Sequence, residues 1–181
     1  MDGYKKITQK LHQFTRKYYL NELIKGTILF LSLGFLYLFF TLFLEYFLWL
    51  KPTARTILFW VFIIVEVFLL IRFIVIPTFK LIGLRKGISL QDSSKIIGNH
   101  FPEVQDKLLN ILQLKESSTD SDLILASINQ KSEEIAPIPF LKAIDFTQNK
   151  KYLKYAIVPV LIFAISFFTG NKSALTQSLE R

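Results

Sequence analysis

The sequences TILFLSLGFLYLFFTLFLEYFLWL, residues 27–50, and TILFWVFIIVEVFLLIRFIVIP, residues 56–77, decide the fold. Each run is longer than the roughly 20 apolar residues with which a helix crosses ~30 Å of hydrocarbon. Neither run shows the alternation with period two that a barrel strand requires. Because only KPTAR, residues 51–55, separates the runs, the pattern predicts two antiparallel transmembrane helices joined as a hairpin over residues 27–78.

A third apolar run, YLKYAIVPVLIFAISFFT, covers residues 152–169 and contains Lys154 and Pro159. Eighteen helical residues reach about 27 Å, which spans a bilayer if the Lys154 side chain extends to the interface. The sequence therefore predicts an all-α membrane protein with three transmembrane helices. Residues 170–181 follow the third helix as a tail.

Residues 1–26 are polar and basic, and Ile7, Leu11, Phe14 and Tyr18 recur at steps of four, three and four. This spacing predicts an amphipathic juxtamembrane helix with one apolar stripe. Such a helix can lie on an anionic leaflet or continue directly into the first transmembrane helix. The basic residues predicted to lie at the membrane surface are Lys5, Lys6, Lys10, Arg16, Lys17, Lys80, Arg85, Lys86, Lys150, Lys151 and Lys154.

The distribution of lysine and arginine around the three runs predicts their orientation. Six lie in residues 1–26, three follow the second run and four precede or begin the third, whereas four lie on the opposite side. The positive-inside rule places the larger group in the cytoplasm. The N-terminus and the 79–151 segment are therefore predicted to be cytoplasmic, and the 170–181 tail to lie on the outer side.

The 79–151 segment is predicted to form a small helical insert. Ser89 and Pro102 are residues that begin helices, and the pattern indicates helices at about 89–100, 102–115 and 121–135. Such a small module buries too little apolar surface to be comfortably stable alone, so we expect it to pack on the membrane face, on the N-terminal helix or on a partner. The candidate docking face consists of Val104, Leu108, Ile111, Leu112, Ile124, Ile128 and Ile135.

Composition and motifs argue against several classes of function. Residues 88–140 carry four lysines and eight acidic residues, which disfavours nucleic-acid binding despite a net charge of +8 for the whole chain. The chain has no cysteine, and His100 with Glu103 supplies at most half of a metal site. No phosphate-binding glycine loop, nucleophile elbow or zinc motif occurs. The sequence predicts no enzyme activity, cofactor, metal or small-molecule substrate.

Polar residues within the apolar runs are the most informative candidate sites. Thr27, Gly34, Thr41 and Glu45 form a narrow stripe that favours close packing against another helix. Glu66 and Arg72 are intramembrane charges in the second run, and unpaired charges are costly there. Glu66 is interpreted mainly as a protonated or paired carboxylate that fixes helix packing; an ion or proton path is the alternative.

The runs GISLQDSSKIIGNHFPEVQDKLLNILQLKESS and DLILASINQKSEEIAPIPFLKAIDF extend this description. With them, the chain resembles the N-terminal region of a family of long membrane proteins of Gram-negative bacteria that contains a domain of unknown function. The resemblance implies a basic N-terminal helix, a membrane hairpin, a cytoplasmic helical insert and a third span. It also implies an inner-membrane location and a large periplasmic part after the third span. Because the sequence stops at GNKSALTQSLER, just past that span, we expect it to be either the anchor region of a longer protein or a form that has lost the outer part.

Together these observations predict a non-catalytic inner-membrane anchor or scaffold. It would hold a periplasmic portion at the membrane and present the cytoplasmic insert to a protein partner, in a cell-envelope complex. Anionic lipid is the other predicted partner. The alternative is a subunit of an ion-driven or secretion complex, with Glu66 in a proton or ion path.

Overall fold

The computed structural model describes residues 2–116 and 122–168, and all regular structure in that part of the chain is helical. The α-helices in the described part of the chain are α1 (Asp2–Leu48), α2 (Pro52–Leu70), α3 (Ile76–Leu81), α4 (Leu90–His100), α5 (Pro102–Glu116), α6 (Asp122–Ile135) and α7 (Lys150–Phe168). A π-helical turn, Ile71–Val75, joins α2 to α3, and 3-10 turns cover Phe140–Ala143 and Phe146–Asn149. The 170–181 tail, Thr169 of the third run and Ser121 of the predicted third insert helix lie outside the described residues.

The chain divides into two compact units. Unit 1 comprises Met1–Asn21 and Phe79–Phe146, and unit 2 comprises Glu22–Thr78 and Thr147–Arg181. Helix α1 contributes residues to both units. Residues 2–26 thus belong to one helix that runs through to Leu48, which is one of the two arrangements predicted for this segment.

Unit 1 has a conventional buried core, to which the N-terminal stripe contributes directly. Ile7, Leu11 and Phe14 are fully buried and cluster with residues of α4, α5 and α6. A fully buried side chain of this size contributes about 1.5–3 kcal/mol by leaving water. The stripe therefore packs against protein, and the prediction that it could lie on a leaflet is wrong.

The candidate docking face on the insert is also occupied within unit 1. Its members Val104, Leu108, Ile111, Leu112, Ile128 and Ile135 are buried in the same core, and Ile124 packs against that core partly buried. Of the three surfaces expected to cover the insert, the N-terminal helix is the one that does so, and these residues are core residues that are not available to dock a partner. The physical reason is that the apolar face of a helix with 3.6-residue periodicity is covered by whichever apolar surface is available, and here the stripe of α1 supplies that surface.

Three contacts position the helices of unit 1: a helix cap, a close approach at a glycine and a hydrogen bond between side chains. Ser89 caps α4, since its hydroxyl accepts a hydrogen bond from the Asp92 backbone N–H at 2.9 Å. Between α4 and α5, a Cβ added to Gly98 would lie 2.5 Å from Cβ of Gln105, so glycine permits this close approach. Lys107 Nζ donates to Glu134 Oε2 at 2.8 Å, and this hydrogen bond lowers the pKa of the Glu134 carboxyl.

Two of the lysines predicted to lie at the membrane surface have different roles. The Lys10 ammonium donates to the backbone carbonyls of Ala136 and Ile138, just after α6 ends. The Lys17 ammonium donates to the Leu141 carbonyl at 2.6 Å. A carbonyl oxygen has two lone pairs, so it can accept from a lysine in addition to a backbone N–H. Lys10 and Lys17 therefore connect α1 to the segment that follows α6 within unit 1.

Among the described residues, two helical stretches are long and apolar enough to cross a membrane, and both lie mostly in unit 2. They are Gly3–Leu48, which begins in unit 1, and Pro52–Leu81, which ends in unit 1. No residue of α2 is buried, and Ile64 and Phe68 are 65% and 64% exposed. Large apolar side chains with this exposure need a surrounding other than water. The third run, which begins at residue 152, lies within α7, whose Pro159 is inside the helix and buried.

Candidate functional site

The candidate site of unit 2 lies between α1 and α2, where three contacts follow one another along the helices. Glu45 faces Arg55, Gly34 faces Glu66, and Gly26 faces Phe73. Because the residue numbers rise along α1 as they fall along α2, the two helices are antiparallel neighbours. This arrangement follows from the short connection between the two apolar runs.

The central contact places the Glu66 carboxyl directly against the backbone of Gly34. A Cβ on Gly34 would lie 3.0 Å from Oε2 of Glu66 and 3.2 Å from Oε1. Glycine therefore creates the space that the carboxyl occupies. Oε1 is buried and has no hydrogen-bond partner within the described ranges 2–116 and 122–168. The structure thus brings together Gly34 of the predicted packing stripe and the predicted intramembrane acid.

An apolar groove of about 210 Å³ opens beside this contact. Its lining comprises Phe30, Leu31, Gly34, Phe35, Leu38, Phe62 and Glu66. The Glu66 carboxyl is the one ionisable group among these residues, and the Tyr37 ring stacks on Phe62 nearby at 5.7 Å between ring centroids. The groove therefore combines an apolar wall with a single acid, an arrangement suited to helix packing.

The contact between Gly26 and Phe73 brings the backbone of α1 very close to the π-helical turn that follows α2. A Cβ on Gly26 would lie 2.1 Å from the carbonyl oxygen of Phe73, so only glycine fits without a backbone shift. Phe73 belongs to the π-helical turn, in which the Ile76 N–H donates to the Ile71 carbonyl. Single π-helical turns are often found at functional positions of helices. Arg72 lies in the same turn and is exposed.

Beside the short connection between α1 and α2, an ion pair joins the two helices. Oε1 of Glu45 lies 2.9 Å from Nε of Arg55, and the two side chains are 12% and 32% exposed. Partial removal from water strengthens the attraction between the opposite charges. The charge at position 45 is thereby compensated by a cation from the start of α2.

The two threonines of the predicted packing stripe make local contacts. The Thr27 hydroxyl donates to the Leu23 carbonyl, and the Thr41 hydroxyl donates to the Tyr37 carbonyl, each at 2.9 Å. Both bonds satisfy the hydroxyl within its own helix, which is the usual arrangement for threonine in an apolar environment. Thr27 is exposed, whereas its neighbour Gly26 is buried.

The remaining basic residues predicted at the membrane surface occupy different settings. The Lys80 ammonium lies 5.7 Å from the centre of the Tyr19 ring in unit 1. On α7, the ammonium groups of Lys151 and Lys154 lie 5.2 Å from the ring centres of Tyr152 and Tyr155. Exposed side chains are found at Lys5, Lys6, Arg16, Arg85, Lys86 and Lys150.

Two residues with structural importance escaped the sequence analysis. Gly26 is one; its spacing of eight residues from Gly34 places both glycines near one face of α1 and is a usable signal. Tyr19 is the other, since its hydroxyl accepts a hydrogen bond from the Ile88 N–H at 2.6 Å. No local pattern predicts that contact, because the two residues are 69 positions apart in the chain.

Comparison with known proteins gives no relative for this chain: no family model, no curated protein and no solved structure matches it.

Proposed function

We propose that this chain is a non-catalytic anchor and scaffold of the bacterial inner membrane. In this proposal the apolar part of α1, then α2 with its extension, and α7 cross the bilayer. The N-terminus and the 79–151 segment lie in the cytoplasm, and the chain after α7 holds a periplasmic portion at the membrane. The family resemblance described above is part of the same proposal.

The observation that supports the proposal is that unit 1 buries apolar side chains in a core, whereas the apolar helices of unit 2 leave most of theirs exposed. Unit 1 buries its apolar residues in a core, whereas α2 buries none. Helices that pack with neighbours yet expose most of their large apolar side chains suit a lipid surrounding. The antiparallel Gly26, Gly34 and Glu45 contacts supply the packing that keeps two such helices together.

The scaffold part of the proposal requires a protein partner on unit 1. Since the apolar faces of α5 and α6 are buried in the core, the partner contacts the polar outer surface of these helices. That surface is acidic, so a partner with a basic face complements it. The complex proposed here belongs to the cell envelope.

Single-cysteine labelling tests the topology, because the natural chain contains no cysteine. Thr53→Cys lies in the first turn of α2, and Gln130→Cys lies on α6; both native side chains are exposed. In intact spheroplasts, a membrane-impermeant maleimide should label Thr53→Cys, and it should label Gln130→Cys only after permeabilisation. Labelling in the reverse order, or equal labelling of both without permeabilisation, contradicts the proposal.

A second candidate function, a subunit with a proton or ion path, rests on the unpartnered Oε1 of Glu66. Proton flux into liposomes that contain the purified chain discriminates between the two. A conducting subunit should lose its flux in Glu66→Gln and keep it in the control Glu103→Gln, which changes an exposed acid of unit 1. An anchor should give the same flux as protein-free liposomes in all three forms.

A further inference from the structure

We propose that α1 and α7 form a binding site for one anionic phospholipid, with the phosphate held by Lys25, Lys151 and Lys154 and an acyl chain in the apolar groove beyond them. This inference rests on the membrane location proposed above and adds a specific ligand to it. All of the residues concerned belong to unit 2.

The headgroup end of the site consists of two lysines, one from each helix, at one aromatic ring, and a third lysine one turn further along α7. The ammonium groups of Lys25 and Lys151 lie 5.4 Å and 5.2 Å from the centre of the Tyr152 ring, and so approach the same ring from α1 and from α7. Lys154 follows one turn later on α7, over the Tyr155 ring. Glu22 lies 3.4 Å from Lys25 and offsets one of these charges, which leaves the cluster positive.

Ammonium groups that two helices bring to one ring can also bind an anion. A phosphate diester carries one negative charge and accepts hydrogen bonds from several ammonium groups at once. Basic clusters between membrane helices on the cytoplasmic side are suited to acidic lipid headgroups. Tyr152 and Tyr155 add aromatic side chains of the kind that prefer the headgroup level.

The acyl part of the site begins just beyond the lysines on the same two helices. An apolar groove of about 360 Å³ is lined by Leu31, Ser32, Phe35 and Phe39 of α1 and by Ala156, Pro159, Val160 and Phe163 of α7. Ser32 donates its hydroxyl to the Ile28 carbonyl at 2.6 Å, so the groove presents no free polar group from that residue. Its surface therefore matches a hydrocarbon chain.

The cation cluster and the groove have the same order along both helices. Lys25 contacts Tyr152 at one end, and the Phe39 and Phe163 rings lie 6.4 Å apart at the other. Helices α1 and α7 are therefore parallel neighbours, and the lysines precede the groove on each. Residues 31–39 of α1 extend over about 12 Å at 1.5 Å per residue, which accommodates much of an acyl chain.

The test measures lipid binding to the full-length purified chain in neutral detergent. Native mass spectrometry with dioleoyl phosphatidylglycerol should show a tightly bound lipid, and dioleoyl phosphatidylcholine should bind far less. The combined variant Lys25→Gln, Lys151→Gln, Lys154→Gln should weaken phosphatidylglycerol binding by roughly tenfold to a hundredfold, since each lysine near an anionic headgroup contributes severalfold. The control Arg85→Gln, Lys86→Gln removes two exposed charges elsewhere and should leave binding unchanged.

A second variant examines the groove without altering charge. Ala156→Leu fills part of the groove and should weaken phosphatidylglycerol binding. In a separate competition measurement, glycerol phosphate, which has no acyl chain, should not displace the lipid from the natural chain. Equal binding of the two lipids overturns the inference, as does equal binding to all variants or displacement by glycerol phosphate. If cysteine labelling gives the proposed topology and this assay fails, only the lipid site is wrong; reversed labelling contradicts the anchor itself.

Discussion

Units 1 and 2 use the same kind of helix in opposite ways. In unit 1, α1 turns a narrow apolar stripe towards α4, α5 and α6, and its other faces are polar. In unit 2, the later part of α1 is apolar on nearly every face and buries only a few positions, such as Ser32, Gly34 and Phe39. The difference teaches that a helix with one apolar face packs by burying that face away from water, whereas a helix that is apolar on most faces contacts its neighbours through small residues and local polar contacts.

The largest expected effect is the loss of a core aromatic side chain in unit 1. Phe14→Ala should cost about 3–5 kcal/mol, because it removes a fully buried ring and leaves a cavity. Amide hydrogen exchange of α5 in the full chain should then become more than a hundredfold faster if α5 exchanges through unfolding of the unit.

The matched control is Phe59→Ala, which removes the same ring from an exposed position of α2. Exchange of α5 should be unchanged in this variant. Equal effects of the two substitutions would contradict the difference in burial between the units.

A smaller effect is expected where unit 2 depends on close backbone packing. Gly26→Leu forces the backbone away from the Phe73 carbonyl, and overpacking of this kind costs about 1–3 kcal/mol. The thermal aggregation midpoint of the chain in detergent should fall. Thr27→Leu adds a side chain of the same size at the exposed neighbouring position, so its midpoint should stay close to that of the natural chain.

The ion pair between Glu45 and Arg55 should contribute less. A double-mutant cycle with Glu45→Gln and Arg55→Gln should give a coupling free energy of about 0.5–1 kcal/mol, measured as thermal stability in detergent. The exchanged pair Glu45→Arg with Arg55→Glu should recover part of it. Zero coupling would mean that the pair does not help to hold α1 against α2.

The smallest effect concerns the surface pair of Lys107 and Glu134 in unit 1. Because the hydrogen bond from Lys107 lowers the pKa of Glu134, the pair stabilises the fold above the ordinary value of 4.5 and loses that contribution as pH falls through the lowered pKa. NMR titration should show the Glu134 pKa rising in Lys107→Gln. The same titration of Lys131→Gln should show a weaker change, since Lys131 acts on Glu134 only through charge at longer range.

Unit 1 also shows what a helical pattern does and does not determine. The spacing of Ile7, Leu11 and Phe14 correctly identifies a buried face, as does the spacing of Val104 and Leu108. Each pattern states that an apolar face needs a cover but contains no information about which surface provides it. The stripe of α1 could therefore be assigned to lipid and the α5 face to a partner, although the two cover each other.

The amino-acid sequence by itself determined the all-helical fold, the two long apolar helices, their antiparallel arrangement and the cap at Ser89, because these depend on hydrophobic periodicity, run length and residues adjacent in the chain. The tertiary structure decided that the N-terminal stripe completes the core of unit 1, that Lys10 and Lys17 bind backbone carbonyls of the segment after α6, and that Gly26 and Gly34 meet Phe73 and Glu66. These contacts join residues that are distant in the chain, so they depend on which surfaces meet in space, and no local pattern specifies that.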